Sequence, residues 1–371
     1  MRNYILRRIL FFIPALLILA LGSFLLLHYA PGSPADALLN EQSVSGNSSI
    51  NPEASQQLRR EIEHQLGLDL PVFYFSITRA SETESSFAYN LPRVEFHGKN
   101  QFHRWLFGGE NSSGILHGDF GSSYVSHLPV LSIIRGRIGW SLFFTILSVL
   151  LAYLFSIPLA IKMASKPDSS FSKKFSVLLQ IAYSLPTFWI ATLLLFLFSN
   201  PDVFSLFPAS GVSPVGGFTN DASFFQKIIQ SLPYLILPTI AYTYASFTFL
   251  TGSLKNVLEN ILQSDYIRTA RAKGLTEKKI LRRHALRNAL LPLITVFSHI
   301  FPAAIGGSVI LETIFTIPGM GLTIFQSIGS LDYPVIIAVF LITGLITMTG
   351  YLISDILYAL ADPRISFTER R

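Results

Sequence analysis

The 371-residue sequence contains no cysteine, and only 13% of its residues are charged. The first absence excludes disulfides, thiolate metal ligands and a thiol nucleophile. The second excludes an ordinary water-facing surface, because soluble domains carry about 25% of Asp, Glu, Lys and Arg. A phosphate loop of the form G-x-x-x-x-G-K-[ST] is missing too: "FHGKN" at 96–100 lacks both the upstream glycine and the closing Ser or Thr. Any ATP-driven work must therefore be powered by a partner. The apolar runs hold no aspartate pair, no Ser and His set and no H-E-x-x-H, so an intramembrane protease is not indicated. No residue cluster asks for a metal or a cofactor.

What is present is oil. Half of the residues are hydrophobic and 31 are Phe. Runs of about 20 apolar residues, enough to cross a hydrocarbon core of about 30 Å, occur at 9–29, 140–162, 175–199, 233–253, 289–311 and 335–360. They predict an all-α integral membrane protein with six transmembrane helices. Ionisable groups inside them are few: Asp355 near the inner end of the last run, and His28 and His299. An ion-driven transporter keeps charged relays near the midplane, so the energy source is expected elsewhere, and the histidines read as hydrogen-bonded neighbours of other helices. The first run, preceded by Arg2, Arg7 and Arg8 and followed by "HYAPGSPADA", also has the outline of a cleaved secretory signal. Its 21 residues are long for one and favour an anchor.

Orientation follows from basic residues. With the N-terminus inside, segments 1–8, 163–174, 254–288 and 361–371, with Lys162 counted beside its loop, hold 19 Lys or Arg, whereas the short outer loops 200–232 and 312–334 hold 1. Segment 30–139 holds 8 but is too long for the positive-inside rule to govern. Both termini are thus expected in the cytoplasm, and the net charge of +6 is an orientation signal that gives no reason to expect nucleic acid. The expected plan is an anchor at 1–29, a large outer, periplasmic segment at 30–139, a five-helix core at 140–360 that includes a cytoplasmic loop at 254–288, and a tail at 361–371.

That loop contains "DYIRTARAKGLTEKKILRRHALR" at 265–287, with eight Lys or Arg around one glycine. A topogenic charge cluster explains the charge; the pattern asks for more. Residues 265–273 suit a short helix, Gly274 the left-handed residue that ends it, and Thr276 the cap of a second helix starting at Glu277. At 100° per residue, Lys278, Lys279, Arg282, Arg283 and Arg287 cover half of that second helix and leave Ile280, Leu281 and His284 on the other half.

"YIRTARAKGL" at 266–275 and "HALRNALLP" at 284–292 resemble a known family, the membrane-spanning subunits of ATP-binding-cassette importers, and within it the first permease subunit of dipeptide and oligopeptide systems. "RRIL", "APGSPAD", "GLDLPV", "GDFGSSY", "LPTFWIATLLLFLFS", "ETIFTIPGMG", "DYPVI" and "DILYALADPR" continue the likeness along most of the chain. Two places depart from it: 76–114 resembles an insertion, and "RIGWSLFFT" stands where the family has Arg-Xaa-Pro-Xaa-Thr. The resemblance implies that Arg268, Thr269, Ala270, Arg271, Ala272, Lys273, Gly274 and Leu275, with Ile280, Leu281 and His284, dock a coupling helix into a groove of an ATPase. It further implies two cytoplasmic ATP-binding subunits, a second homologous permease subunit, an outer-face substrate-binding protein and the lipid of a bacterial inner membrane. This chain would itself be no enzyme. Short peptides are the implied cargo, with nickel or small glycoconjugates as alternatives because related permeases share the loop. A non-transporting scaffold that docks through the basic loop is the reading from another class.

Two further groups stand out. Glu312 closes the fifth run at what would be the negative end of its helix dipole, a position costing a few tenths to about 1 kcal/mol, so a cationic or hydrogen-bonding partner is expected. Pro318, Gly319 and Gly321 in "IPGMG" can hold a tight turn beside it, either as an ordinary outer loop or as part of an outer gate. Tyr183, Ser184, Thr187, Tyr242, Thr243 and Tyr244 offer uncharged polarity in the third and fourth runs and suit a pathway for a general substrate. The small residues of "FPAAIGGS" in the fifth run suit close helix packing. In the outer segment, Leu58, Ile62 and Leu66 predict an amphipathic helix over 53–66, "LPVFYFSI" a strand, and 41–51 and 81–86 loops.

Overall fold

The computed structural model describes residues 2–29, 31–45, 52–79, 92–109, 113–218, 221–286, 288–289, 293 and 308–361. Most of the 289–311 run, with His299 and "FPAAIGGS", the 81–86 stretch and the tail beyond Ala361 lie outside these residues. The chain divides into two compact units, one of residues 1–14, 137–323 and 343–371, the other of 15–136 and 324–342.

The fold is mainly helical. Helices α1 (Arg2–Tyr29), α5 (Val130–Ser165) and the last helix, α13 (Tyr333–Ala361), contain segments long and apolar enough to cross a membrane. The third run differs from a straight span: α6 (Ser170–Ser184) and α7 (Thr187–Phe198) meet at 97°. Pro186 is the cause. Its ring excludes the helical conformation for Leu185, which is extended at φ −85°, ψ 129°. With 15 and 12 residues, α6 and α7 are about 22 and 18 Å long, so neither crosses about 30 Å alone. The fourth run lies inside α8 (Phe224–Leu262), 39 residues and about 58 Å long, opened by a capping box between Ser223 and Gln226. Its Tyr, Thr and Ser residues dilute its hydropathy below that of the other spans.

In the first unit one cluster gathers Ala160 and Ala164 of α5 with Leu250, Leu254, Leu258 and Leu262 of α8. Near the chain ends, Arg8 reaches Asp355 at 2.9 Å and the Tyr4 hydroxyl donates to the same oxygen at 3.0 Å. The lone acidic residue of the last run is therefore paired.

The second unit holds α2 (Pro34–Ser45), α3 (Pro52–Leu66), an antiparallel pair β1 (Phe75–Arg79) and β2 (Pro92–Phe96), and α4 (Gln101–Phe107). The amphipathic helix forms, but the strand starts at Phe75, and α2 extends over 41–45, where a loop was expected. This hairpin adds a small sheet to a chain expected to be all helical; it begins the 76–114 stretch that the resemblance marks as an insertion, Phe75 pairing with Phe96 and Arg79 with Pro92. His28 makes hydrogen bonds with the Phe24 carbonyl at 2.9 Å and with Gln101 Oε1 at 2.6 Å, and stacks on Phe24 at 4.1 Å, the structural role expected of it.

Candidate functional site

The basic loop folds as a hairpin. Helix α9 (Asp265–Ala272) ends in a Schellman turn: Gly274, at φ +75°, donates to Arg271 O at 2.9 Å, and Leu275 donates to Ala270 O at 3.3 Å. A Cβ on Gly274 meets nothing within 4 Å, so only its backbone conformation demands glycine. Thr276 takes the cap conformation and its carbonyl accepts from Lys279 and Ile280, yet its side chain caps nothing. The hairpin is instead clasped by Arg271 and Glu277, with Nε to Oε1 at 2.7 Å and Nη2 to Oε2 at 3.3 Å. Each shifts the other: this bond lowers the Glu277 pKa and raises that of Arg271.

Two sequence expectations change here. The second arm begins as α10 (Glu277–Lys279) and widens at once into a π-helical segment, Ile280–Ala285, so the 100° spacing that defined its two faces does not hold. The apolar side is also already occupied. Ile280 is fully buried and packs with Ile267, Ala270 and Ala285 into the α5 and α8 cluster, with Leu275 and Leu281 against it and His284 half-buried. Left exposed are Asp265, Tyr266, Arg268, Thr269, Arg271, Ala272, Lys273, Gly274, Thr276, Glu277, Lys278 and Lys279. Apolar residues must leave water, and here the chain's own helices supply the place.

The second group converges around one carboxylate. Glu312 is fully buried in α11 (Val309–Ile314), which starts at Ser308, whose hydroxyl caps Leu311 N at 3.2 Å. It lies in the first turn of a short helix, so the expected clash with a helix C-terminus does not arise. Its partners are neutral donors: the Ser141 hydroxyl at 2.8 Å on Oε1 and Leu322 N at 2.9 Å on Oε2. Ser141 in turn accepts Met320 N at 2.8 Å. The "IPGMG" turn leads into α12 (Met320–Gly329) and wraps this carboxylate closely enough that a Cβ on Gly319 would lie 2.5 Å from it. A Cβ on Gly321 would lie 2.7 Å from Val309 N. Pro318 stands between Ile317, which donates to Glu312 O at 2.8 Å, and Gly319.

The six pathway candidates do not share one surface. Tyr242 is buried, stacks on Phe144 at 5.5 Å, and turns its hydroxyl toward Glu312, so it belongs with the turn. Tyr183 lines a cavity of about 420 Å³ with Gln180, Thr248 and Asn256. Thr243 and Tyr244 line another of about 660 Å³ with Phe155 and Phe171. Tyr244 also donates to the Ala182 carbonyl, while Ser184 and Thr187 sit on either side of the α6–α7 bend. Successive residues on a helix point 100° apart, so Tyr242, Thr243 and Tyr244 cannot face the same way.

Comparison with known proteins gives this arrangement its context. Residues 156–367 match the family model described as the binding-protein-dependent transport system inner membrane component. The chain belongs to that family. The oligopeptide transport system permease protein AppB of Bacillus subtilis (strain 168) is 33% identical over 99% of this chain and all of its own length. The inner membrane ABC transporter permease protein YejB of Escherichia coli O157:H7 is 32% identical over the whole of both chains. The peptidoglycan transport system permease protein YejB of Agrobacterium fabrum (strain C58 / ATCC 33970) is 30% identical, also over the whole of both.

As a permease of an ATP-binding-cassette importer, the chain is a helical inner-membrane subunit and not an enzyme. ATP is hydrolysed by separate subunits, and a binding protein completes such a system. Ser141 belongs to "RIGWSLFFT", which the sequence marked only as a departure from the family pattern. Its hydroxyl stands where the family pattern has Thr, and that retained oxygen was the signal available. The Arg271 and Glu277 clasp was hidden because Glu277 was read only as the start of the second helix.

Proposed function

We propose that this permease, paired with a second homologous subunit, forms the path by which short peptides cross the inner membrane. Two cytoplasmic ATP-binding subunits drive it, and an outer-face binding protein delivers the cargo. The observation that carries this reading is the hairpin at 265–285, whose arms are rooted in the α5 and α8 cluster and whose charged outer face is left for a partner. A push on that face would reach the inner ends of both helices directly. Two of the relatives' names, oligopeptide and peptidoglycan transport, bracket the cargo. We favour peptides because the apolar runs carry so little fixed charge, and a buried unpaired charge would select one cargo over others.

The arrangement in the membrane is six spans embedded in lipid, with both termini cytoplasmic, 30–139 outside, 140–360 as the core and 254–288 inside. The pairing of Arg8 with Asp355, close to opposite chain ends, is what termini on a common side require. In this reading Glu312, Pro318, Gly319 and Gly321 form the outer gate, while Tyr183, Ser184, Thr187, Tyr242, Thr243 and Tyr244 border the path in states other than this one. A Ser45→Cys variant tests the topology without background, since the native chain has no Cys. Labelling from outside is expected, and labelling only after the inner face is opened would reverse the assignment.

Cargo is tested by uptake of labelled di- to pentapeptides, nickel and a small sugar in cells lacking the chain. Loss of peptide uptake is expected. A glycoconjugate cargo is the second reading, favoured by the Agrobacterium relative, and loss of sugar-conjugate uptake with peptide uptake intact would establish it instead.

A further inference from the structure

Three segments singled out in the sequence have no part in the hairpin or the Glu312 turn: "GLDLPV" at 67–72, "GDFGSSY" at 118–124 and "DYP" at 332–334. All three border one cavity of about 510 Å³ in the second unit. Helix α4, within the 76–114 stretch, adds Gln101, Arg104 and Trp105 to its wall, and α1 adds Phe24 and His28.

Arg104 is held in place by the chain around it. Gly67, at φ +71°, ends α3 with its own Schellman turn, donating to His64 O at 3.1 Å while Leu68 donates to Glu63 O at 2.8 Å. A Cβ on Gly67 would lie 2.1 Å from Arg104 Nη1, and one on Gly109 would lie 2.8 Å from Arg104 Cγ. Two glycines thus leave a slot that the arginine side chain fills. No Asp or Glu pairs with its guanidinium among the described residues.

The acids nearby are engaged by loop donors. Asp119 accepts Gly121 N and Ser113 N, each at 2.9 Å, and Asp332 accepts the Ser123 hydroxyl at 2.5 Å and Tyr124 N at 3.0 Å. His28, on the same wall, is committed to Phe24 and Gln101. The guanidinium is the charged group in the cavity with donors to spare, and the aromatic residues Trp105, Phe120 and Tyr124 line the same cavity.

We propose that this cavity binds the carboxylate of a short peptide, with the planar fork of Arg104 as the recognising group. The proposal rests on the peptide reading above and on 30–139 lying outside. A guanidinium matches a carboxylate through two parallel hydrogen bonds, and aromatic walls accept side chains of many shapes. The terminal carboxylate is the group that peptides share whatever their sequence, so recognising it here admits a varied cargo without a fixed charge in the membrane.

The test uses the full chain in lipid nanodiscs with trialanine, trialanine amide and inorganic phosphate as probes. The native protein is expected to bind the acid about tenfold or more tightly than the amide, and phosphate to compete with it. In Arg104→Gln both the preference and the competition should vanish. Equal binding of acid and amide by the native protein, or a preference that survives in Arg104→Gln, overturns the proposal. Should the glutamine variant fail to fold, Arg104→Lys carries the test: a preference reduced or lost is expected, and an unchanged one overturns it. Chain-dependent uptake of labelled trialanine separates the two possible failures. Uptake without acid preference removes the Arg104 site and leaves the peptide reading standing, whereas absence of such uptake removes both.

Discussion

The hairpin at 265–285 and the turn around Glu312 solve opposite problems. The hairpin buries its apolar residues and shows its charges; its clasp is an ion pair with side chains 44% and 61% exposed, the kind worth about 0–1 kcal/mol. The turn buries a carboxylate completely and answers it with a serine hydroxyl and a backbone amide. Polar groups at the hairpin are free to exchange water for a partner protein. Those at the turn have no such alternative, so their arrangement is fixed unless several bonds break together.

Glu312→Ala should separate the two regions most strongly. It strands the Leu322 amide and the Ser141 hydroxyl, at about 1–3 kcal/mol each, so thermal unfolding in detergent should show the largest loss of stability. Retention by Glu312→Gln of most of that stability would sharpen the conclusion that hydrogen bonding, and not charge, is what the turn requires. Ile280→Ala should follow, at about 2–5 kcal/mol for a large-to-small change in a packed core. A loss below about 0.5 kcal/mol would mean that the apolar side of the hairpin is not held internally.

Gly274→Val should cost about 1 kcal/mol or more by opposing the left-handed turn, while a larger functional effect is expected: ATP hydrolysis continues but transport fails, with membrane insertion intact. Normal transport by this variant would count against the hairpin as the coupling element. The smallest effect belongs to Glu277→Gln, below about 1 kcal/mol and shrinking further with salt. Because the Glu277 pKa is lowered in the fold, its stabilisation is present above the unfolded carboxylate value of about 4.3 and is lost as pH falls through the folded value. A stability difference from the native chain that persisted at pH 2 would assign the effect to something other than this pair.

The hairpin was legible because its signals are local. A glycine just past a short helix favours a left-handed end, and Gly274 takes it in a Schellman turn. Which face stays free was not legible, because periodicity marks an apolar side without saying whether the chain itself or a partner covers it. Helix α8 covered it here. The single-rod reading of 175–199 failed for a related reason: hydropathy counts residues and does not register that Pro186 turns the chain. Glu312 was visible as an anomaly, but whereas the Leu322 amide lies near it in sequence, Ser141 is 171 residues distant. The pathway set was chosen by chemistry alone, and helical geometry scattered it.

The bond between Arg8 and Asp355 also bears on how the protein is made. These residues are separated by almost the whole chain, and at about 5–20 residues per second the first helix waits roughly 17 to 70 seconds for its partner to be synthesised. A product truncated before residue 355 never receives the partner, so an Arg8 without its aspartate distinguishes an unfinished polypeptide from a finished one.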